Sequence, residues 1–335
     1  MACTVNDIAR VAGVSRSTVL RALSGKPDIS IGTRERIQSL ATSMKYRPNY
    51  IARSLTHGKT NLVGVLAKPS IYYASHTGIE AVERGLRAGG YSTLLLMSEN
   101  ETGKDDSVLD RLMKNRVDGV IAVPGAMTDP EAFRELIETG AKLVILDSQI
   151  DGVSVPQITG DNYGAGRLAA QHLIDLGHRR IGYLGIPRIT TVGKQRLRGV
   201  EDAFSSSGIL LDRRFFVEVD FSESAAEACV ADMLKAKDRP TALLTRHDVV
   251  ARGAMRAIFA AGLSIPRDIS LVGNGDMPGT DMLRVPLTTV RFPAKQIADL
   301  CVRTLLDMLA GKEVPQGTTK LGVELVVRES TAPLE

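Results

Sequence analysis

The stretch 4-TVNDIARVAGVSRSTVLRALSG-25 predicts two short helices joined by a tight turn. Thr4 and Asp7 have the spacing of a capping box with Asp in place of Glu, and Gly13 is typical of a helix end. Ser15 is a candidate N-cap of the second helix, because its hydroxyl can accept a hydrogen bond from a free backbone N–H. Two short helices joined by a turn of three or four residues that contains glycine indicate a helix-turn-helix.

The second helix has an apolar stripe and a polar face. Val19, Leu20 and Leu23 recur at spacings of three and four, which predicts a buried stripe. Leu20 stands between Val19 and Arg21, so an orientation partly toward the outside is also open. The residues that we expect on the outward face are Arg16, Ser17 and Arg21.

Positive charge is concentrated in the N-terminal part of the chain. Residues 1–59 contain ten lysines and arginines and three acidic residues, a net charge of +7, whereas the whole chain carries +4. A short segment with such a charge suits binding to a polyanion. A third helix is predicted over Thr33 to Met44, and Asn49 is a candidate cap of a short helix that runs to Leu55. Because so short a helix is marginal alone in water, it is a candidate hinge.

From residue 61 onward, short β-branched runs alternate with amphipathic stretches in two series of similar size. This alternation predicts an α/β fold with two lobes of doubly wound parallel sheet, a cleft between them, and an all-α helix-turn-helix headpiece before them. After one more long helix the chain is expected to finish near the second lobe. The predicted domains are the headpiece (1–46), the hinge helix and linker (47–59) and the core (60–335), whose N-lobe is about 60–160 plus 293–322 and whose C-lobe is about 161–291 plus 323–335.

Several classes of protein are disfavoured. Three scattered cysteines and five histidines have no metal-ligand spacing, so neither a zinc site nor a disulfide framework is expected. No apolar run approaches the roughly 20 residues that span a bilayer, and the N-terminus has no apolar signal region. We therefore expect a cytoplasmic protein without a membrane partner. A small-molecule binding protein related to transport would need export, which the basic headpiece argues against.

An enzyme is also disfavoured. VGNGDMPG, residues 272–279, lacks the G-x-G-x-x-G spacing, and the chain has no GxxxxGK[ST] loop and no recognisable Ser-His-Asp set. We expect no catalytic residue, no bound metal and no cofactor.

The chain resembles the lac repressor family of bacterial transcription regulators. The likeness runs over essentially the whole sequence and is carried by VNDIARVAGVSRSTVLRALSG, TRERIQSLATSMKYRPNYIARSL, DNYGAGRLAAQHLIDLGHRRIGYLG, RLRGVEDAF and DISLVGNGD, in that order. The resemblance implies a core similar to periplasmic sugar-binding proteins. It also implies a homodimer that places two headpieces on a palindromic operator, as a repressor whose DNA affinity changes when a small-molecule effector occupies the cleft.

The resemblance implies particular DNA contacts. Arg16 and Ser17 would lie nearest the base edges, Arg16 forking to a guanine or, alternatively, only neutralising a phosphate. Arg21 would reach a base or a phosphate, and Arg53 a phosphate. Leu55 would wedge into the minor groove, and it can also pack on its dimer mate. The expected phosphate anchors are Thr4, Ser15, Thr18 and Asn49.

Leu20 departs from the family pattern, in which a serine is common at this position. The change removes one phosphate contact or supplies a surface that reads a thymine methyl group.

Candidate effector residues follow the strands, because sites in doubly wound lobes lie beyond the carboxyl ends of strands. Arg196, in an R-x-x-G motif, offers a fork for a carboxylate or hydroxyls, unless it makes a surface ion pair. Asp248 is as well placed to cap a helix as to bind a ligand. The full expected set is Tyr72, Tyr73, Arg196, Phe221, His247, Asp248 and Asp276.

Two departures from the family pattern concern the effector. Gly275 stands where many relatives have an acid, and His247 where asparagine is common. With Arg196 present and one acid fewer, the cleft favours an anionic effector such as a sugar acid or a sugar phosphate over a neutral sugar.

Overall fold

The computed structural model describes residues 3–46, 59–98, 106–123, 130–185 and 190–334. The chain divides into two compact units, Met1–Thr60 and Asn61–Glu335. The predicted hinge helix, from Asn49 to Leu55, lies within residues 47–58, which are outside the described residues. In the part that is described, no helix has the length and apolar character needed to cross a membrane.

The first unit contains three helices, α1 (Val5–Ala12), α2 (Arg16–Leu23) and α3 (Ile31–Ser43). The predicted capping box is confirmed, since the Thr4 side chain accepts from the Asp7 N–H and the Asp7 carboxylate accepts from the Thr4 N–H at 3.0 Å. Gly13 ends α1 with a φ of +65°. Ser15 caps α2 by accepting from the Thr18 N–H at 3.1 Å, as predicted. The shared core consists of Ile8, Ala12, Val19, Ala22, Ile37 and Ala41.

The predicted buried stripe of α2 is wrong for Leu20, and the alternative of a partly outward orientation is confirmed. Leu20 is 40% exposed and lies outside the core, because Ala22 rather than Leu20 joins Val19 on the buried face of α2. Helix α3 begins at Ile31 instead of Thr33, because Ser30 caps it by accepting from the Thr33 N–H at 3.4 Å.

In the second unit, six described strands form a fully parallel sheet with the order β11-β5-β4-β3-β1-β2. The helices on its two faces bury Phe133 and Leu112 on one side and Val82 and Ile297 on the other. This first lobe contains the strands β1 (Leu62–Ala67), β2 (Ser92–Met97), β3 (Gly119–Ala122), β4 (Lys142–Leu146), β5 (Pro156–Gly160) and β11 (Gly317–Leu321), and the helices α4 (Pro69–Ala88), α5 (Asp106–Asn115), α6 (Pro130–Glu138) and α11 (Ala294–Leu309).

The second lobe is built around another sheet of six described strands, with the order β12-β10-β9-β8-β6-β7. Its strands are β6 (Ile181–Gly185), β7 (Phe216–Glu218), β8 (Ala242–Thr245), β9 (Ser270–Gly275), β10 (Thr288–Arg291) and β12 (Glu324–Val326), and its helices are α7 (Asn162–Asp175), α8 (Thr191–Ser206), α9 (Glu223–Met233) and α10 (Asp248–Ala260). One face buries Phe204 and Leu173, and the other buries Val250 and Ile258.

The second sheet differs from the all-parallel expectation at its edge, where β12 pairs antiparallel with β10. The reason is chain direction. Strand β10 leads out of the second lobe toward α11, whereas β12 enters that lobe directly from β11, with no crossover helix to reverse it.

Three segments carry the chain between the lobes, after β5, after β10 and between β11 and β12. The Asp161 N–H donates to the Leu321 carbonyl at 2.8 Å, which ties two of them together. A Cβ on Gly160 would collide with the ring of Phe292, which lies in the crossing segment after β10. Glycine at residue 160 therefore permits the close approach of this third segment. The crossings therefore form one hydrogen-bonded, tightly packed joint at the edge of the cleft.

Some element boundaries in the core determine where the candidate effector residues lie. Helix α4 begins at Pro69, so the stretch SIYYAS, residues 70–75, lies in a helix. Helix α8 begins at Thr191, after Thr190 as its cap, so Arg196 lies in its second turn. The run RRFFVEV, residues 213–219, is only partly strand, because Arg213–Phe215 form a 3-10 turn before β7.

Candidate functional site

The headpiece presents one exposed face of α2. The Ser15 cap and the burial of Val19 fix the rotation of this short helix, which leaves Arg16 and Ser17 exposed in its first turn. The Ser17 hydroxyl lies 2.8 Å from that of Ser15. Within the described residues, no hydrogen bond or ion pair holds the Arg16 guanidinium. Its donors are therefore available to an external acceptor.

Arg21 and Arg34 are held by partners within the headpiece. Arg21 forms an ion pair with Asp28 in the loop after α2. Arg34 on α3 donates to the carbonyls of Lys26 and Ile29 at 2.8 and 3.4 Å. These bonds tie the loop between α2 and α3 to both helices.

Arg196, in the second turn of α8, is buried, with 8% of its surface exposed. Its Nη1 donates to the Arg246 carbonyl at 2.8 Å, its Nη2 donates to the Asn162 side chain, and its guanidinium lies 5.4 Å from the centre of the Phe292 ring. Burial lowers the pKa of Arg196. The electrostatic interactions with Tyr183 and Asp147 raise it and so partly offset the effect of burial. The alternative of a surface ion pair is wrong for Arg196.

Asp147 faces this guanidinium from the first lobe. It directly follows β4, has a φ of +50°, and is partly buried. Burial raises its pKa to about 6, although Arg196 and hydrogen bonds from Gly160 and Thr159 act in the opposite direction. The carboxyl group is therefore mostly ionised at neutral pH, where it accepts hydrogen bonds, and it can donate one only when protonated, below about pH 6.

His247 and Phe221 form an aromatic pair beyond the ends of β8 and β7, with ring centres 4.7 Å apart. His247 is the N-cap of α10, and its Nδ1 accepts from the Val249 N–H at 3.3 Å. Burial, followed by the charges of Arg196 and Arg246, lowers its pKa to about 3. The ring is therefore neutral at physiological pH, and its proton sits on Nε2.

Asp248 and Asp276 are occupied by internal partners. Asp248 is buried and accepts from the Thr289 hydroxyl at 2.7 Å and from the Met277 N–H at 2.8 Å. His247, not Asp248, provides the helix cap, which corrects that alternative. Asp276 accepts from Arg291 at 2.6 Å and from Arg328 at 2.7 Å. Burial would raise the pKa of Asp276, but these arginines lower it overall.

Side-chain hydrogen bonds between described residues connect the two lobes. The Gln195 amide donates to the Gln149 oxygen at 2.8 Å, and the Thr191 hydroxyl donates to the Asp151 carboxylate at 2.9 Å. Gln195 and Thr191 are on α8, the helix that carries Arg196. A change in the separation of the lobes therefore acts directly on this helix.

The comparisons with known proteins agree with this architecture. Residues 4–49 match the family "Bacterial regulatory proteins, lacI family", and residues 170–331 match "Periplasmic binding protein-like domain". The chain is 30% identical over 331 residues to "HTH-type transcriptional repressor PurR" of Mannheimia succiniciproducens, which covers 98% of both chains. The chain belongs to the lacI family of bacterial regulatory proteins. The family resemblance and the fold class inferred from the sequence are thus confirmed.

Two further lacI-family relatives extend over nearly the whole chain. The "Ribose operon repressor" of Haemophilus influenzae is 30% identical over 334 residues, 99% of each chain. The crystal structure of the lac repressor dimer bound to operator and the anti-inducer ONPF has a TM-score of 0.87 at 27% identity, over 99% of this chain and 100% of that chain.

In this lacI-family chain, the predicted site residues are distributed as follows. Arg196, Phe221 and His247 come together at the cleft, whereas Thr4 and Ser15 serve as helix caps. Asn49, Arg53 and Leu55 lie outside the described residues. Tyr72 and Tyr73 lie near the start of α4, but their side chains are outside the described part. The contacts to DNA and effector expected of all these residues, and of Ser17, Thr18, Arg21, Asp248 and Asp276, stay predictions.

Two cleft residues of this lacI-family chain escaped the sequence reasoning. Asp147 and Arg246 each follow a strand directly, so the rule used for the other candidates also applied to them. Whether a residue at this position is the last residue of the strand or lies in the site depends on how the neighbouring strands bury it. The local sequence does not reveal those neighbours.

Proposed function

We propose that this chain is a sequence-specific transcriptional repressor that binds a palindromic operator as a homodimer. A small molecule in the core cleft, a sugar or a sugar-acid-like compound, controls its operator affinity. It acts in the cytoplasm, where the nucleoid lies, and the proposal involves no catalytic step. The observation that carries it is the exposed polar face of α2, in a headpiece with the sequence of a lacI-family helix-turn-helix.

The DNA-binding step follows from that face. Arg16 has a full guanidinium available, and a bidentate contact to a guanine is worth about 1–3 kcal/mol of discrimination. The Ser17 hydroxyl lies one residue further along the same turn. The positive charge of residues 1–59 adds affinity that does not depend on sequence and decreases with salt. Two copies related by a two-fold axis would read two half-sites.

The control step follows from the joint between the lobes. A ligand that contacts Asp147 in the first lobe and His247 and Phe221 in the second binds best at one separation of the lobes. By linkage, a ligand with different affinities for two lobe arrangements shifts operator affinity by the same factor as the operator shifts ligand affinity. The Gln195–Gln149 and Thr191–Asp151 bonds are part of the arrangement on which the ligand would act.

The test begins with selection of operators from random DNA by the full-length protein, followed by binding titrations over a series of salt concentrations. We expect a two-fold symmetric site and a steep loss of affinity with salt. Arg16→Ala should weaken the selected operator by about 10- to 100-fold. The control, Arg10→Ala, removes the same charge from α1, where Arg10 pairs with Asp7 at 2.9 Å, and should have a small effect. Asymmetric sites, or equal losses in both variants, would refute the proposal.

A further inference from the structure

Arg246 is a second arginine at the cleft, and its guanidinium is less occupied than that of Arg196. It follows β8 and is partly buried. Its Nη1 donates to the Val219 carbonyl at 2.6 Å, and its guanidinium carbon lies 5.5 Å from the centre of the Phe221 ring. No other side-chain partner of Arg246 occurs among the described residues. Since a guanidinium has five N–H donors, most of its donors are open to a ligand or to solvent.

Arg196 positions Arg246 rather than competing with it. The Arg196 Nη1 bonds the Arg246 carbonyl, and its Nη2 bonds Asn162, so only the buried Nε is without a protein partner. Two guanidinium groups are thereby brought close enough that Arg196 contributes to the lowering of the Arg246 pKa, to about 10, after the larger effect of burial. Arg246 is still charged at neutral pH.

His247 adds a neutral donor next to this charge. Its Nδ1 is used by the Val249 N–H, so the proton of the neutral ring is on Nε2. Nε2 is directed toward Gly275, where no side chain is present to accept that hydrogen bond. The Phe221 ring lies beside both groups: its centre is 4.7 Å from that of the imidazole, at an interplanar angle of 51°, and 5.5 Å from the Arg246 guanidinium carbon.

The acidic groups near this cluster do not neutralise it. Asp248 is bonded to Thr289 and Met277, and Asp276 to Arg291 and Arg328. Asp220 is exposed and only weakly raises the Arg246 pKa. Asp147 faces Arg196 from the other lobe and has a pKa of about 6, so its negative charge offsets at most that of Arg196. The described side chains therefore leave a surplus of positive charge beside His247 and Phe221.

We propose that the effector carries an anionic oxygen group, a carboxylate or a phosphate, bound by the Arg246 guanidinium and the His247 Nε2–H. The inference rests on the proposed function in one respect, that the cleft holds the effector. Charge-assisted hydrogen bonds to a guanidinium are strong and geometrically specific, so this group would orient the rest of the ligand. Phe221 would contact its apolar face.

The first experiment needs no knowledge of the natural effector. Inorganic phosphate and acetate, each balanced with chloride to constant ionic strength, are titrated into the full-length protein by calorimetry. We expect a saturable site for at least one of the two anions, and its affinity should fall about 10- to 100-fold in Arg246→Gln. Arg246→Lys keeps the positive charge but lacks the paired N–H donors of the guanidinium, so its anion affinity should fall less than that of Arg246→Gln. The control Arg198→Gln removes an exposed arginine from α8 and should bind as the wild type does.

The second experiment distinguishes the two sources of the anionic group. Matched sets of a neutral sugar, its sugar acid and its phosphate ester are screened for release or tightening of the operator complex. A sugar acid or a sugar phosphate should act at concentrations at which the neutral sugar does not, and the effect should weaken in Arg246→Gln and in His247→Asn. Circular dichroism and operator binding without a ligand show whether each variant is folded.

Two outcomes would overturn the inference: anion binding that is absent or unaffected by Arg246→Gln, or an operator response to neutral sugars alone. Either would leave the proposed repressor function standing, because operator selection and the loss in Arg16→Ala do not involve Arg246. A protein that selects no operator would refute the proposed function instead, whatever its anion affinity.

Discussion

The Nε2 atom of His247 lies 3.1 Å from the position that a Cβ on Gly275 would take. The Asp248 Oδ2 lies 3.3 Å from the same position, and Gly275 has a φ of +129°, where other residues are strained. The position of the His247 imidazole therefore depends on the absence of a side chain at Gly275. A side chain at 275 would displace the donor that we assign to the effector.

Gly275→Ala should lower the free energy of unfolding by about 1–3 kcal/mol, because it combines backbone strain with a close contact. It should also weaken effector binding. The control is Gly279→Ala, since Gly279 has a φ of +87° but no atom within 4 Å of its Cβ position. Urea denaturation and ligand titration of both variants would check this, and equal effector affinity in the two would contradict it.

Leu20→Ser should change operator preference with little change in stability, because Leu20 is 40% exposed on the face that carries Arg16. If Leu20 reads a thymine methyl group, replacing thymine by uracil at the contacted position should cost the wild type about 0.8 kcal/mol. Leu20→Ser should show no loss of binding free energy on this replacement. Val19→Ala, at a fully buried position of the same helix, should destabilise the headpiece and keep the uracil penalty. An equal penalty in wild type and Leu20→Ser would exclude the methyl contact.

Asp147→Asn should stabilise the protein above neutral pH. The folded-state pKa of about 6 exceeds the ordinary value of 3.8, so the carboxyl contributes stability below pH 4 that is lost as the pH rises through 6. Asparagine resembles the protonated acid and avoids that loss. At pH 7.5 the variant should be more stable by about 1–3 kcal/mol, and the difference should shrink toward pH 4. Denaturation curves across this range would show it, whereas a difference independent of pH would argue against the raised pKa.

Gly199→Ala should separate α7 and α8. A Cβ on Gly199 would collide with the Tyr163 carbonyl oxygen, and one on Gly166 with the Arg196 carbonyl oxygen, so both glycines permit close packing of the two helices. We expect a loss of about 1–3 kcal/mol in the free energy of unfolding. Weaker effector binding should accompany it, because α8 carries Arg196. Ser205→Ala, on the exposed face of α8, should change stability by less than about 0.5 kcal/mol, and a similarly small change in Gly199→Ala would count against the tight crossing.

The headpiece was predictable because its signals are local. Thr4 with Asp7, Gly13 and Ser15 act within one or two turns of the chain, so their spacing alone predicted the caps and the turn that the structure contains. Leu20 was harder. Whether it or Ala22 completes the buried face depends on how α1 and α3 pack against α2, and the periodicity of an eight-residue helix does not decide this.

The sequence by itself determined the kind of protein: alternation of strands and helices requires parallel sheets, and the order of motifs identifies the lacI family. Only the tertiary structure decided the chemistry of the cleft. It showed that Arg196 is buried with two of its nitrogens occupied, that Asp248 and Asp276 have internal partners, and that Arg246 and Asp147 face the site. The physical reason is that hydrogen bonds and burial between residues far apart in the chain determine which polar groups are free, and these contacts exist only once the two sheets and their crossings have formed.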